Sequence, residues 1–118
     1  MPGGALWKGN TKGIDDVPRF ICGAFLAQGT TGGNFAPDSA VLNCACQSGG
    51  TGLWTVFLPR PLASGSYIWT PGQISGVSPG TVIGVVNTST TTKDITIRNS
   101  NTGALTDIDI CFSIWSLT

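Results

Sequence analysis

The 118-residue chain has no histidine and no glutamate; all 6 of its acidic residues are aspartate. Without an imidazole, a Ser-His-Asp or Cys-His catalytic unit cannot be assembled, because the proton acceptor beside the nucleophile is missing. Charge of either sign is scarce. With 6 basic and 6 acidic residues the net charge is zero, and charged residues make up 10% of the chain, where about 25% is usual for soluble domains. Such a surface is not held apart by repulsion, and near-zero net charge favours association. A nucleic-acid partner would call for a basic stripe. Lys8, Lys12, Arg19, Arg60, Lys93 and Arg98 are instead scattered, with Asp15, Asp16 and Asp94 close to several of them, so nucleic acid is excluded as a partner. No apolar run approaches the roughly 20 residues a helix needs to cross a bilayer, so no membrane insertion is expected. The opening MPGGALWKGN lacks the apolar core of a signal peptide. The expectation is therefore synthesis and residence in a cytoplasm, with exit by lysis. There the 4 cysteines are expected to be reduced and to pack as small hydrophobes.

Threonine, serine, asparagine and 17 glycines carry the polar work, alongside 41% hydrophobic residues. A chain of this length forms one domain and buries roughly two thirds of the surface its unfolded form exposes, so a real core needs neither metal nor disulfide. Residues 1–18 (MPGGALWKGNTKGIDDVP) show no periodicity, and Trp7 and Ile14 stand isolated among glycines, prolines and aspartates. This segment reads as an arm, with two readings open: a loose terminus, or a segment docking on a neighbour through Trp7 and Ile14, since tryptophan is favoured at contact centres.

Residues 19–118 read as strands. The run 19–27 (RFICGAFLA) is apolar on both faces, as in a strand covered on both sides. A glycine-dense loop with a Pro-Asp turn follows, then a short strand over 40–47 (AVLNCACQ). In 53–58 (LWTVFL), Trp54, Val56 and Leu58 share one face, and Pro59 stops the run because proline cannot donate to a ladder. Strands are expected at 66–70 (SYIWT), 81–87 (TVIGVVN) and 93–98, where Ile95 and Ile97 face in and Thr96 and Arg98 face out. The last run, 106–117 (TDIDICFSIWSL), alternates most clearly: Ile108, Ile110, Phe112 and Ile114 on one face, Asp107, Asp109, Cys111, Ser113, Trp115 and Leu117 on the other. The second set begins polar and turns apolar, so the end of this strand calls for a second dry surface. About seven strands with frequent turn signals and no helical stretch predict an all-β, antiparallel β-sandwich, jelly-roll-like, with an irregular N-terminal arm.

The motifs from residue 48 onward resemble the C-terminal domains of bacteriophage tail fibres and related small virion accessory, or decoration, proteins. They are a Gly-x-aromatic-Thr-Val-x-Leu strand (Gly52, Trp54, Thr55, Val56, Leu58) and a Ser-x-x-Tyr strand (Ser64 to Tyr67). A threonine-rich strand then runs into an Asn-Ser-x-x-Gly-x-x-x-Asp loop (Asn99, Ser100, Gly103, Asp107), ahead of a final strand with Phe112 and Ser113. The resemblance implies a jelly-roll-like domain that forms symmetric trimers on the virion, similar in architecture to tumour-necrosis-factor-like trimers. No shaft precedes the domain in this sequence, which favours a capsid decoration or tail accessory protein, gripping major capsid or tail proteins through its arm, over a fibre tip. Apolar residues on both faces of the first and last strands exceed what one core absorbs, which points to burial between subunits; Cys111, Trp115 and Leu117 are the expected seam residues.

Chemistry is sparse. Asp107 and Asp109 lie on one side of one strand, as an acid/base pair or calcium ligands would, or as solvent-facing turn residues. Cys44 and Cys46 also share a face, but zinc takes four ligands, usually with wider spacing. Cys22 and Cys111 approach one another if the first and last strands are neighbours, with their relative facing open. The glycine-rich loops have no following helix or Lys-Ser/Thr pair and are not phosphate cradles. No cofactor is called for and no enzyme is expected. The second functional class is recognition of cell-surface glycans by exposed loops, 29–38 and 70–80, with Phe35 and Trp69 as the available rings. Removing residues 1–18 is expected to leave the β-domain folded, with an unchanged circular dichroism spectrum, and to abolish attachment to the particle in a sedimentation assay.

Overall fold

The computed structural model describes residues 18–28, 30–73 and 80–117. The arm residues 1–17, including Trp7 and Ile14, and most of the expected loop at 70–80 lie outside the described residues. Eight strands follow in order: β1 (Arg19–Leu26), β2 (Val41–Leu42), β3 (Ala45–Gly50), β4 (Leu53–Phe57), β5 (Tyr67–Gln73), β6 (Thr81–Asn87), β7 (Thr92–Asn99) and β8 (Ile110–Ser116). A single 3-10 turn, Asp38–Ala40, precedes β2. The strands form two four-stranded antiparallel sheets, β2-β1-β8-β5 and β3-β4-β7-β6, which makes the protein an all-β sandwich. Strands β1 and β8 pair in one sheet while β4 and β7 pair in the other, so the first and last strands of the sandwich are neighbours.

The sandwich is closed by alternation. β8 is buried at Ile110, Phe112, Ile114 and Ser116 and partly open at Cys111, Ser113 and Trp115. β4 turns Trp54 and Val56 inward, β7 turns Ile95 and Ile97 inward, and Ile108 is buried just before β8 begins. Each such isoleucine contributes about 1.5–3 kcal/mol relative to an exposed one.

The last strand begins at Ile110 rather than at Thr106, so Asp107 and Asp109 precede it instead of sharing one of its sides, and two further boundaries also differ from the expected ones. The run at 40–47 is two strands, not one, because Asn43 takes φ 61°, a left-handed conformation that asparagine tolerates better than most residues. Its side-chain Nδ2 donates to the Ile21 carbonyl at 3.0 Å, and the chain leaves β1's sheet there to enter the other as β3. The strand expected to end at Thr70 continues through Pro71 to Gln73. β5 is an edge strand, where a missing N–H interrupts no inner ladder.

One edge of the second sheet, β3, is capped by the glycine-rich loop. Gly33 N donates to Ser48 O at 2.6 Å, Ser48 N to Asn34 O at 2.8 Å and Ala36 N to Cys46 O at 2.8 Å, so residues 33–36 act as a partial extra strand over an edge that would otherwise template pairing. The two carboxylates at 107 and 109 are also spent on backbone. Asp107 Oδ1 accepts from Gly52 N at 2.7 Å, and Asp109 Oδ1 accepts from Gln28 N at 2.8 Å. Gly52 itself sits at φ 68°, and a Cβ there would lie 2.6 Å from the Ile97 carbonyl oxygen.

Among the described residues Lys93 is the cation inside the sandwich. On β7 it has the inward parity of Ile95 and Ile97 and is 1% exposed. Its Nζ donates to Leu62 O at 2.9 Å and Ser89 O at 2.7 Å and stands 5.1 Å from the centre of the Tyr67 ring. One side chain thus ties the loop after β4, the turn before β7 and the start of β5 together. Burial pulls its pKa below the usual lysine value. Lys93→Ala, which leaves a cavity and two carbonyls without their donor, should cost about 2–5 kcal/mol in denaturant unfolding. Because the folded pKa is lowered, the unfolded chain binds more protons between that pKa and about 10.4. The stability of wild type relative to Lys93→Met should therefore rise as pH climbs through that window, a difference in which the thiols' own titration cancels.

Candidate functional site

The outer face of the β2-β1-β8-β5 sheet begins with a register fault. Phe20 pairs with Trp115, but Cys22 pairs with Ile114, so β1 advances two residues while β8 advances one. Simple alternation would put Phe20 on the same side as Cys22, which is fully buried. The bulge at Ile21 reverses the parity and sends Phe20 outward, where its ring meets Trp115 edge-on with centroids 5.5 Å apart at 77°. Beneath them Gly23 leaves room for the Phe20 ring; a Cβ there would lie 3.6 Å from that ring and 2.6 Å from the Phe112 carbonyl oxygen.

Around this pair the face is apolar. Phe25 stands opposite Cys111, Leu42 opposite Gly23, and Ile68 opposite Trp115 on the far side. Leu42 is 65% exposed, Phe20 43% and Ile68 40%. Cys111 lies over Gly72, whose absent Cβ would sit 3.2 Å from its sulfur. Phe20, Phe25, Leu42 and Cys111 border an open groove of about 430 Å³. Within the four strands of this sheet Arg19, at the very start of β1, is the single charged residue.

The polar atoms of the face are already used. Trp115 Nε1 donates to Ser113 Oγ at 2.9 Å, Ser113 Oγ is hydrogen-bonded to Thr70 Oγ1, and Thr70 Oγ1 also reaches the Ser113 carbonyl at 3.2 Å. Covering this face would therefore leave these side chains partnered, and the desolvation cost of an unpaired group would not arise. The opposite sheet presents a more mixed surface: exposed Val82 and Val86 share it with Thr55, which donates to Asp94 Oδ1 at 2.9 Å, and with exposed Arg98.

Of the expected seam residues, Cys111 and Trp115 lie on this face, each two positions from Ser113, and both are half-buried. Leu117, just beyond β8, is 42% exposed, with its N–H held by the Ser66 carbonyl at 2.9 Å. Phe20, Phe25, Leu42 and Ile68 complete the surface and were not singled out from sequence. Parity could have revealed Ile68, which alternates with inward Trp69. Phe20 was hidden by the bulge.

The two proposed receptor rings do not meet. Trp69 turns inward and stacks on Phe112 with centroids 5.1 Å apart. Phe35 is 54% exposed at the margin of the other sheet and leans on Phe57 at 6.0 Å. Cys22 and Cys111 lie on opposite faces of their sheet, so they do not approach as a pair, and all four cysteines are free thiols. Among the described residues no three Cys or Asp side chains are arranged to hold a metal ion, and no helix is long and apolar enough to cross a membrane. No protein-family model matches the chain, and comparison with curated proteins and with solved structures gives no match.

Gly23→Ala should displace the β1–β8 pairing, because its new Cβ meets backbone rather than a flexible side chain. A loss of about 1–3 kcal/mol is expected in chemical unfolding, together with a shift of the tryptophan emission to longer wavelength as the Phe20 ring is pushed away from Trp115.

Proposed function

We propose that the chain is a non-enzymatic structural protein that assembles with copies of itself through the outer face of the β2-β1-β8-β5 sheet. The observation that carries this reading is the composition of that face: exposed Phe20, Phe25, Leu42 and Ile68 around half-buried Trp115 and Cys111, in a sheet whose one charged residue is Arg19. Contiguous apolar surface of this kind marks an interaction site, and depletion of charge with enrichment of aromatics is the signature of an interface centre. A chain of zero net charge presents no long-range repulsion to a second copy. A partner of opposite charge would find almost nothing on this face to pair with, so copies of the same chain are the fitting occupants.

The setting we infer is a bacteriophage particle, with the protein a homotrimeric capsid decoration or tail accessory component held to major capsid or tail proteins by residues 1–18. Its support is the resemblance carried by Gly52, Trp54, Thr55, Val56, Leu58, Asn99, Ser100, Gly103 and Asp107, and by Phe112 and Ser113 in the strand at the centre of the proposed seam. In a trimer this face meets a different surface of the next copy, a heterologous contact that closes into a ring after three copies rather than polymerising without end. The alternative, binding of host surface glycans, draws on Phe35 and Phe57, the exposed aromatic pair at the margin of the second sheet; Trp69 no longer adds to it, since it is stacked inward.

Sedimentation at micromolar concentration should give a trimer or a larger assembly, and Leu42→Lys should convert it to a monomer with a thermal midpoint changed by no more than a few degrees. Trp115→Lys should abolish assembly and also cost about 1–2 kcal/mol, because its ring packs on Phe20. A wild-type monomer would refute the seam.

A further inference from the structure

Three of the four cysteines meet at one place, where the crossover from β2 to β3 passes beneath β1. The left-handed turn at Asn43 swings Cys44 back so that its sulfur lies 3.9 Å from that of Cys46 and 3.5 Å from the Gly23 carbonyl oxygen, with Cys22, the residue before Gly23, near enough to interact with it electrostatically. Cys22 and Cys46 are completely buried, whereas Cys44 is half-buried. Nothing in the assembly reading uses this cluster, and two buried small apolar residues beside a third would pack as well. What distinguishes it is order of burial: Cys44 alone of the three keeps part of its surface open, and the fully buried thiol of Cys46 lies 3.9 Å from its sulfur.

We propose that Cys22, Cys44 and Cys46 form a thiol-oxidation site, in which Cys44 is the sulfur attacked by a peroxide and a buried neighbour, Cys22 or Cys46, closes an intrachain disulfide with it. In the first step the Cys44 thiolate attacks a peroxide oxygen, the O–O bond breaks, and sulfur loses two electrons to become a sulfenic acid while hydroxide leaves. In the second the neighbouring thiol, giving up its proton, displaces the sulfenic oxygen as water and the S–S bond forms. Overall, two thiols and one hydrogen peroxide give one disulfide and two waters. Burial assigns the roles, Cys44 being the half-buried thiol and Cys22 and Cys46 the fully buried ones, and the electrostatics run the same way. Hydrogen bonds from Cys22 and Cys46 favour the thiolate of Cys44 and pull its pKa below the ordinary thiol range, while the same sharing and burial push both neighbours up and keep them protonated. The partial burial of Cys44 itself opposes this and acts against the two neighbouring thiols. A bond to Cys22 would staple β1 to the crossover between the sheets; a bond to Cys46 would lock the start of β3.

The test is oxidation of the full-length protein with one equivalent of hydrogen peroxide, followed by denaturation, alkylation with iodoacetamide and intact-mass measurement. One bond consumes two of the four thiols, so two alkylated cysteines are expected, with Cys44 in the cross-linked peptide. Four alkylated cysteines, a bond between chains through Cys111, or Cys44 carried to sulfinic acid without a cross-link would each overturn the proposal. Cys44→Ser, checked by circular dichroism, should form no intrachain bond; a Cys22–Cys46 bond appearing at the wild-type rate would remove Cys44 from its role. Untreated wild type offers a reading independent of any variant: limited alkylation below pH 7 should label Cys44 before Cys111, and the reverse order would count against it.

Discussion

The pleat of β8 is the constraint on which the rest of the molecule depends. It is an inner strand, hydrogen-bonded to β1 on one side and β5 on the other, so its position cannot be adjusted without breaking two ladders. Ile110, Phe112 and Ile114 enter the sandwich, and Cys111, Ser113 and Trp115 stand on the far side. A slip of one residue would exchange these sets, placing the serine and the indole in the core and three large apolar side chains on the outer face. The strand therefore sets the inner packing and the outer surface with one geometrical choice.

The two sheets manage their outer surfaces differently, and scarcity of charge is what makes the difference visible. The β3-β4-β7-β6 sheet holds Lys93, Asp94 and Arg98, all on β7. Its outward threonines bond locally, and its β3 edge is covered by the chain at 33–36. The β2-β1-β8-β5 sheet has an aromatic and aliphatic exterior whose polar atoms are already satisfied by one another. Lys93 is the exception that keeps charge in the interior: carbonyl oxygens and an aromatic face replace water around its ammonium, and in return three separated segments are held to a single point. Desolvation of a charge is tolerated there because the donors of that ammonium find acceptors the loops would otherwise leave to solvent.

Much of the fold was legible because strand alternation is a local property. Strand β6 coincides with the residues that the run TVIGVVN predicts, and the inward set of β7 and β8 follows from counting by two. The shared face of Cys44 and Cys46 also followed from spacing. Other features were not legible. The Ile21 bulge depends on how β1 matches β8, more than 80 residues away in the chain. The break at Asn43 depends on Ile21 accepting its side-chain amide. Continuation of β5 through Pro71 depends on that strand being an edge. Lys93 had inward parity in the sequence, but a lysine is ordinarily assigned to solvent, and only the loops that close over it reverse that. Asp107 and Asp109 looked like a possible carboxylate pair until each was found bonded to a different backbone N–H.

By itself the sequence determined the class of fold, the identity of the central strand, the absence of histidine chemistry and the expectation of surplus apolar surface, because composition and period-two patterning act within a few residues. The tertiary structure alone decided where that surplus lies and which residues share it. Phe20 joins Trp115 through a bulge, Leu42 and Ile68 flank them from strands distant in the chain, and Cys44 meets the Gly23 carbonyl across a crossover. These juxtapositions are set by register and by the turns that carry the chain between sheets, and register is a relation between strands that no single stretch of sequence contains.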